Sequence, residues 1–107
     1  MREVSTQAFA SARADGAVTI DVRTPGEYLA GHVPGARLMP MDEVFARTHE
    51  LPRNAPVFVV CATGNRSLTI ADMLHRQGFD ARSVAGGTAS WESAGYPVVR
   101  GAVSDVA

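Results

Sequence analysis

Short, largely apolar runs alternate with longer amphipathic stretches along the chain. Runs of this length that are rich in β-branched residues predict strands buried inside a sheet. The predicted strands cover 17–22, 56–60 and 81–84, and a shorter strand covers 37–39.

The amphipathic stretches predict helices, and several carry start signals. Ser5 and Thr24 are suited to the N-cap position, and Pro25 to the first helical position. Asp42 is expected to cap a helix that reaches about Thr48. The predicted helices cover about 5–14, 24–29, 42–48, 67–77 and 87–94.

The order of these elements predicts the fold class. Strands that alternate with helices pair in parallel through right-handed crossovers, so we expect an α/β sheet with helices on both faces. Ligands of such sheets bind beyond the carboxyl ends of the strands, where Cys61 and residues 21–23 fall. The inward face of the helix at 67–77 is expected to hold Leu68, Ile70, Ala71, Met73 and Leu74.

Composition and charge narrow the class of protein. The 107 residues are 46% hydrophobic and 20% charged, which predicts one domain, 1–107, with a core at about 3–100 and a fraying tail at 101–107. A formal net charge of −1 makes nucleic acid and acidic membrane poor partners. One cysteine cannot form an internal disulfide, and no apolar stretch approaches signal-peptide or membrane-spanning length. The protein is therefore predicted to be cytoplasmic.

The cysteine begins a loop suited to a reactive sulfur. The loop consists of Cys61, Ala62, Thr63, Gly64, Asn65 and Arg66, and a predicted helix follows directly. Backbone N–H groups and the positive end of a helix dipole favour the thiolate, which is the nucleophilic form. Gly64 and small neighbours allow the amides to turn inward and form a nest for an anionic sulfur. The alternative is a cysteine that only packs at a strand end.

Arg66 adds a permanent cation at the end of the loop. Because a cation at a helix N-terminus is unfavourable, we expect Arg66 to face a bound anion. Protein tyrosine phosphatases separate their cysteine and arginine by five residues, whereas four separate Cys61 and Arg66. One residue fewer shortens the chain by up to ~3.3–3.6 Å, and a persulfide extends only ~2 Å beyond the sulfur. Loop length therefore favours sulfur transfer over phosphoryl transfer.

Four blocks of the sequence resemble a single-domain rhodanese, in the order in which that family carries them. They are DVRTPGEY at 21–28, GHVPGA at 31–36, CATGNRS at 61–67 and GGTASW at 86–91. The resemblance implies a parallel five-stranded sheet and a sulfurtransferase without metal or organic cofactor. Cys61 would take sulfane sulfur from a small sulfur-containing anion such as thiosulfate, hold it as a persulfide and pass it to cyanide or a thiol. Its reaction would have two steps, with ping-pong kinetics.

The sequence departs from the two-domain thiosulfate transferases of this family at two positions. Those enzymes carry an arginine and a lysine, both of which bind the anionic donor, where this chain has Glu27 and Thr63. Ala62 also lacks the basic residue often found after the cysteine. We therefore expect the bound sulfur to depend on backbone amides and Arg66, and thiosulfate to be a poor or surrogate donor.

Other polar residues are expected to support the site rather than react. Asp21 and Arg23 follow a buried strand and need partners, so we expect them to brace the cysteine loop or line its mouth; a structural ion pair is the alternative. His32 is expected to bond to backbone in a turn. Gly86 and Gly87 are expected to pack closely beside the loop. The spacing of His, Cys and Asp residues supports no metal site.

Two other functions stay open. One is a phosphatase or arsenate reductase on the same scaffold, built around Cys61 and Arg66. The other is a non-catalytic module that recruits a partner or delivers sulfur only within a complex. The short loop argues against the first, and the intact cysteine cradle argues against the second.

Overall fold

A five-stranded sheet in which every pairing is parallel lies at the centre of the computed structural model, which describes residues 2–103. The strands are Glu3–Val4 (β1), Val18–Asp21 (β2), Arg37–Leu38 (β3), Val57–Val60 (β4) and Ala81–Val84 (β5). Their order across the sheet is β1-β5-β4-β2-β3, so β4 is central. The predicted α/β class is confirmed, and the four predicted strands agree with the observed bounds to within one residue.

Helices and 3₁₀ turns connect the strands in the described part of the chain. The helices are Thr6–Ala14 (α1), Pro25–Ala30 (α2), Asn65–Arg76 (α3) and Gly87–Ser93 (α4), and the 3₁₀ turns are Val44–Ala46 and Thr48–Glu50. Ser5 caps α1 by accepting the N–H of Ala8 at 3.0 Å. Thr24 and Glu27 form a reciprocal capping box at the start of α2. Both helices therefore begin where the capping residues predict.

Apolar side chains cover both faces of the sheet, as predicted. Along β4, Val57 and Val59 point to one face, and Phe58 and Val60 point to the other, because side chains alternate along a strand. The first face packs against α3 through Ile20, Val22, Met39, Ile70, Ala71 and Leu74. The second packs against α1 and α4 through Phe9, Val33, Val84 and Trp91. A strand buried on both faces needs a continuous apolar run, which is the pattern seen in the sequence.

The prediction of a helix at 42–48 is wrong. This segment forms the two 3₁₀ turns, and the first begins after Glu43 without a side-chain cap. Val44 is buried, and the guanidinium of Arg47 donates to the backbone carbonyl of Leu38 at 3.2 Å. These contacts hold the segment against the end of β3, and tertiary packing overrides the local helix signal.

Two further elements differ from the sequence prediction. The hydrophobic pattern does not locate the edge strand β1, because a two-residue strand is too short to show a period. The resemblance implies a fifth strand, and β1 supplies it: Glu3 pairs with Ser83, and Val4 with Val84. Helix α3 begins at Asn65, two residues earlier than predicted, because Gly64 in the left-handed region starts the helical turn within the loop. Its buried residues are Ser67, Ile70, Ala71 and Leu74, whereas Leu68 is half-buried and Met73 is exposed.

The segment after α4 returns to the region of α2. The buried His32 exchanges two backbone hydrogen bonds with Val99, and the N–H of Gly101 donates to the carbonyl of Leu29 at 2.8 Å. His32 also contacts two backbone carbonyls through its ring nitrogens, those of Tyr28 at 2.8 Å and of Val103 at 2.7 Å. The rest of the tail expected to fray, 104–107, lies outside the described residues. Within 2–103, none of the helices has the length and apolar character needed to cross a bilayer.

Candidate active site

The cysteine loop leaves the carboxyl end of the central strand. Cys61 directly follows β4, whose last residue, Val60, pairs with Asp21 at the end of β2. Because the strands are parallel, the ends of β2, β4 and β5 meet at one edge of the sheet. The structure thus places Cys61 and residues 21–23 at the edge where α/β sheets bind ligands.

The first turn of helix α4 donates backbone hydrogen bonds to the start of the cysteine loop. The N–H groups of Thr88 and Ala89 donate to the carbonyls of Cys61 and Ala62, at 2.8 and 3.0 Å. A Cβ on Gly87 would collide with the Cys61 carbonyl oxygen and would lie 2.8 Å from the Ala62 carbonyl carbon, so only glycine fits there. The predicted close packing of Gly87 beside the loop is therefore confirmed.

The sulfur of Cys61 is enclosed by hydrogen-bond donors. The residue is 1% exposed, and its Sγ accepts the N–H of Gly64 at 3.1 Å, a geometry that the left-handed conformation of Gly64 permits. The Oγ of Ser67, in the first turn of α3, lies 3.4 Å from the same sulfur.

These donors change the acidity of the thiol. Burial alone raises the pKa of Cys61, because it disfavours the charged form. The Ser67 hydroxyl and the backbone N–H groups of Ser67, Gly64 and Thr63 outweigh burial, and the pKa of Cys61 falls below its ordinary value. The arrangement therefore stabilises the thiolate, which is the nucleophilic form.

Arg66 faces a carboxylate of the protein itself. Its Nη1 and Nη2 donate to Oε1 and Oε2 of Glu27 at 2.8 and 2.9 Å, and each side chain is about a third exposed. The hydrogen bond from Arg66 lowers the pKa of Glu27 to about 2, and the same bond raises the pKa of Arg66. The charge of Cys61 also contributes to the raised pKa of Arg66, which places the guanidinium within the field of the sulfur. The sequence predicted a bound anion beside Arg66; in the structure the carboxylate of Glu27 takes that position.

The remaining loop residues have mainly backbone roles. Ala62 accepts a hydrogen bond from α4, and Thr63 contributes its N–H to the electrostatics of the sulfur. The side chains of Thr63 and Asn65 are exposed, and Asn65 opens α3.

Asp21 and Arg23 form a buried ion pair. Asp21 is fully buried, and the Arg23 Nη2 donates to Asp21 Oδ2 and to the carbonyl of Gly31, both at 2.8 Å. Within 2–103, the side-chain hydrogen bonds of this pair join Asp21, Arg23 and the Gly31 carbonyl, as in the structural ion pair named as the alternative; a supporting role at the loop stays a prediction. Arg23 does line the neighbouring opening: a cavity of about 350 Å³ is bordered by Arg23, Arg66, Pro25, Pro40, Met41 and Asp42, among others.

Sequence reasoning missed two buried hydroxyl groups at the site. Ser67 follows Arg66 directly, and its Oγ lies 2.7 Å from the Oγ of Ser83 in β5. A small polar residue inside a predicted buried strand was the available signal for Ser83. For metal binding, no three His, Cys, Asp or Glu side chains come together anywhere in residues 2–103.

Comparisons with known proteins agree with this architecture. Residues 5–94 match the Rhodanese-like domain family. Thiosulfate sulfurtransferase GlpE of Pseudomonas entomophila (strain L48) is 39% identical over 99 residues, covering 90% of this chain and 88% of that protein. GlpE of Pseudomonas putida (strain F1) is 43% identical over 94 residues, covering 85% and 83%. The crystal structure of a rhodanese-related protein from Thermoplasma volcanium matches with a TM-score of 0.85 and 30% identity, covering 92% of this chain and 98% of that one.

The chain belongs to the rhodanese-like domain family, because the family match spans most of its length and includes the cysteine loop. It is a sulfurtransferase, in line with relatives that share about two-fifths of their residues with it.

Proposed function

We propose that the protein moves sulfane sulfur from a small anionic donor to a thiophilic acceptor through a persulfide on Cys61. The observation that carries the proposal is the enclosure of Cys61 Sγ by the Gly64 N–H at 3.1 Å and the Ser67 hydroxyl at 3.4 Å. These donors lower the pKa of the thiol and so favour the thiolate, which is the nucleophilic form.

The first step forms one S–S bond and breaks another. The Cys61 thiolate attacks the outer sulfur of thiosulfate, and sulfite leaves with the electron pair of the broken bond. In the second step, cyanide or a thiolate attacks the outer persulfide sulfur and regenerates the Cys61 thiolate. With cyanide the product is thiocyanate, and with a thiol it is the acceptor's persulfide. No external oxidant or reductant is needed in either step.

The dimensions of the loop support a persulfide. An S–S bond adds ~2 Å to the side chain, and four residues between Cys61 and Arg66 leave a small ring. Inward N–H groups stabilise a terminal anionic sulfur as they stabilise the thiolate. In the state described here, the Arg66 fork is held by Glu27 and is not available to clamp a tetrahedral phosphate.

The names of the relatives and the charges at the site support a choice of donor. The GlpE relatives are named thiosulfate sulfurtransferases, so thiosulfate is the first donor to test. Glu27 beside Arg66 opposes a dianion, and thiosulfate is therefore proposed as a working but inefficient donor. The chain is proposed to act as a single domain in a reducing compartment, consistent with its one free cysteine.

Intact mass spectrometry tests the mechanism directly. Reduced protein is incubated with thiosulfate, desalted and weighed, and then exposed to cyanide. The wild type should gain the mass of one sulfur atom and lose it to cyanide, with thiocyanate appearing in equal amount. Cys61→Ser should gain nothing. If the variant gains sulfur as the wild type does, or the wild type never gains it, the proposed intermediate is wrong.

The same samples distinguish the alternative functions. Hydrolysis of an aryl phosphate that Cys61→Ser abolishes would indicate a phosphatase instead. A protein that captures a partner equally well after Cys61→Ala, and turns over neither substrate, would be an interaction module.

A further inference from the structure

Three buried side chains form a hydrogen-bonded chain that leads away from the reactive loop. Cys61 Sγ lies 3.4 Å from Ser67 Oγ, and Ser67 Oγ lies 2.7 Å from Ser83 Oγ. Cys61 is 1% exposed, and both serines are fully buried. In the part of the chain that the structure describes, the hydroxyl of Ser83 bonds to no other group.

The fold places the two serines against each other. Ser67 lies in the first turn of α3, and Ser83 lies in β5, which pairs with β4 through Val59. Side chains alternate along β5, so Ser83 shares with Ala81 the face that packs against α3. Burying the Ser83 hydroxyl in this apolar layer costs desolvation free energy unless the group is hydrogen-bonded, and Ser67 is its hydrogen-bond partner.

We propose that Ser83 is a positioning residue for the sulfur of Cys61 and acts through Ser67. When Ser83 donates its hydrogen to Ser67 Oγ, the Ser67 hydroxyl hydrogen is left to point at the sulfur. The inference rests on the proposed role of Cys61 as the reacting group.

The donors and acceptors in the Cys61–Ser67–Ser83 hydrogen bonds exchange roles when the thiol ionises. In the thiol state, S–H donates to Ser67 Oγ, and the Ser67 hydroxyl donates to Ser83 Oγ. When the thiol proton leaves to solvent, both hydroxyl hydrogens rotate: Ser67 donates to the thiolate, and Ser83 donates to Ser67. No heavy atom has to move, and each hydroxyl oxygen takes part in a hydrogen bond in both states. Among the described residues, the Ser83 hydrogen finds an acceptor only in the thiolate state.

The size of the effect follows from the position of each serine. Ser67 bonds the charged sulfur directly, so Ser67→Ala is expected to raise the thiol pKa by about one unit. Ser83 bonds to Ser67 and not to the sulfur. In a chain of hydrogen bonds, one bond strengthens the next by about 10–30%, so the Ser83–Ser67 bond strengthens the Ser67–sulfur bond by about that fraction. Ser83→Ala is therefore expected to raise the thiol pKa by a few tenths of a unit.

The charged groups near the sulfur would not cause a change in the thiol pKa of the Ser83→Ala variant. Arg66 of α3 and its partner Glu27 of α2 lie on the loop side, and the Asp21–Arg23 pair lies at the end of β2. The side chain of Arg82 in β5 pairs with Asp80 and is 41% exposed. Substitution of Ser83 leaves all these charges in place, so a change in thiol acidity reports the hydroxyl chain.

The experiment is a double-mutant cycle read as thiol acidity. Thiolate ultraviolet absorbance and iodoacetamide alkylation rate are measured against pH for wild type, Ser67→Ala, Ser83→Ala and the double variant. Ser83→Gly, which also deletes the hydroxyl, should match Ser83→Ala. Thr19→Val is the control, because it removes a buried hydroxyl from β2 that has no hydrogen-bond partner among the described residues.

The cycle separates a positioning role from a structural one. If Ser83 acts through Ser67, then Ser83→Ala shifts the midpoint in the wild type and adds nothing in the Ser67→Ala background. An unchanged midpoint in Ser83→Ala overturns the proposal, as does an equal shift in both backgrounds or in Thr19→Val. Neither readout needs sulfur transfer, so a failure here is distinct from a failure of persulfide formation.

Discussion

Arg66 and Glu27 form a two-pronged ion pair between α3 and α2, with N–O distances of 2.8 and 2.9 Å. Arg66 lies in the first turn of α3, where a cation is opposed by the helix dipole, and Glu27 lies in the first turn of α2, where an anion is favoured. The pair therefore compensates an unfavourable charge next to the reactive sulfur. Because Glu27 neutralises the charge of Arg66, the mouth of the loop attracts anionic sulfur donors less strongly than an unpaired arginine would.

Glu27→Gln should accelerate sulfur uptake from thiosulfate by about threefold to tenfold at low salt. The substitution removes a negative charge that repels the dianion and frees the Arg66 fork, while glutamine keeps the capping box with Thr24. Persulfide formation is followed by intact mass over time. The gain should shrink as ionic strength rises, and Glu50→Gln, which removes a carboxylate paired with Arg47 and Arg37, should show none. An unchanged rate would mean that Glu27 does not select donors.

Arg66→Ala should slow the reaction with thiosulfate by about tenfold and raise the thiol pKa, because it removes the cation within the field of the sulfur. The fold should survive, since the side chain is about a third exposed. Alkylation rate against pH gives the pKa, and thermal unfolding reports the fold. Arg37→Ala, which removes a surface cation paired with Glu50, is the control. Identical pH curves for Arg66→Ala and wild type would show that the two groups are not coupled.

Acid should lower the free energy of unfolding, in part because Glu27 becomes protonated. The pKa of this carboxyl is lowered from 4.5 to about 2 in the folded state, chiefly by the Arg66 hydrogen bond. Its contribution is therefore present above pH 4.5 and is lost as pH falls from 4.5 towards 2. Because the pair is partly exposed, we expect a loss of about 1 kcal/mol. Urea unfolding across this range should show a smaller acid loss for Glu27→Gln than for wild type, and parallel curves would contradict the assignment.

Gly87→Ala should damage both stability and the reactive loop. Its φ of 57° strains any side chain, and the added Cβ would collide with the Cys61 carbonyl, so we expect a loss of about 2–4 kcal/mol. Gly95→Ala is the matched control, because Gly95 also has a positive φ, 88°, but its Cβ would meet nothing within 4 Å. That variant should lose about 1 kcal/mol and keep sulfur uptake. Equal losses measured by thermal unfolding would show that backbone conformation alone requires glycine at both positions.

Much of the fold could be predicted from local pattern. The four-residue strand β4 is apolar throughout because it is buried on both faces, and the caps at Ser5 and Thr24 act within three or four residues. The 3₁₀ turns at 44–50 could not be predicted in this way. Their conformation depends on the burial of Val44 and on the bond from Arg47 to Leu38, which join residues through the tertiary fold.

The site divides along the same line. Sequence alone determined the α/β class and the loop from Cys61 to Arg66, because these depend on residue type and on spacing along the chain. The tertiary structure alone decided the partners: Glu27 for Arg66 across 39 positions and Ser83 for Ser67 across 16. A charged or polar group needs a partner wherever it is desolvated, but only the packing of α2, α3 and β5 determines which group is near enough to serve.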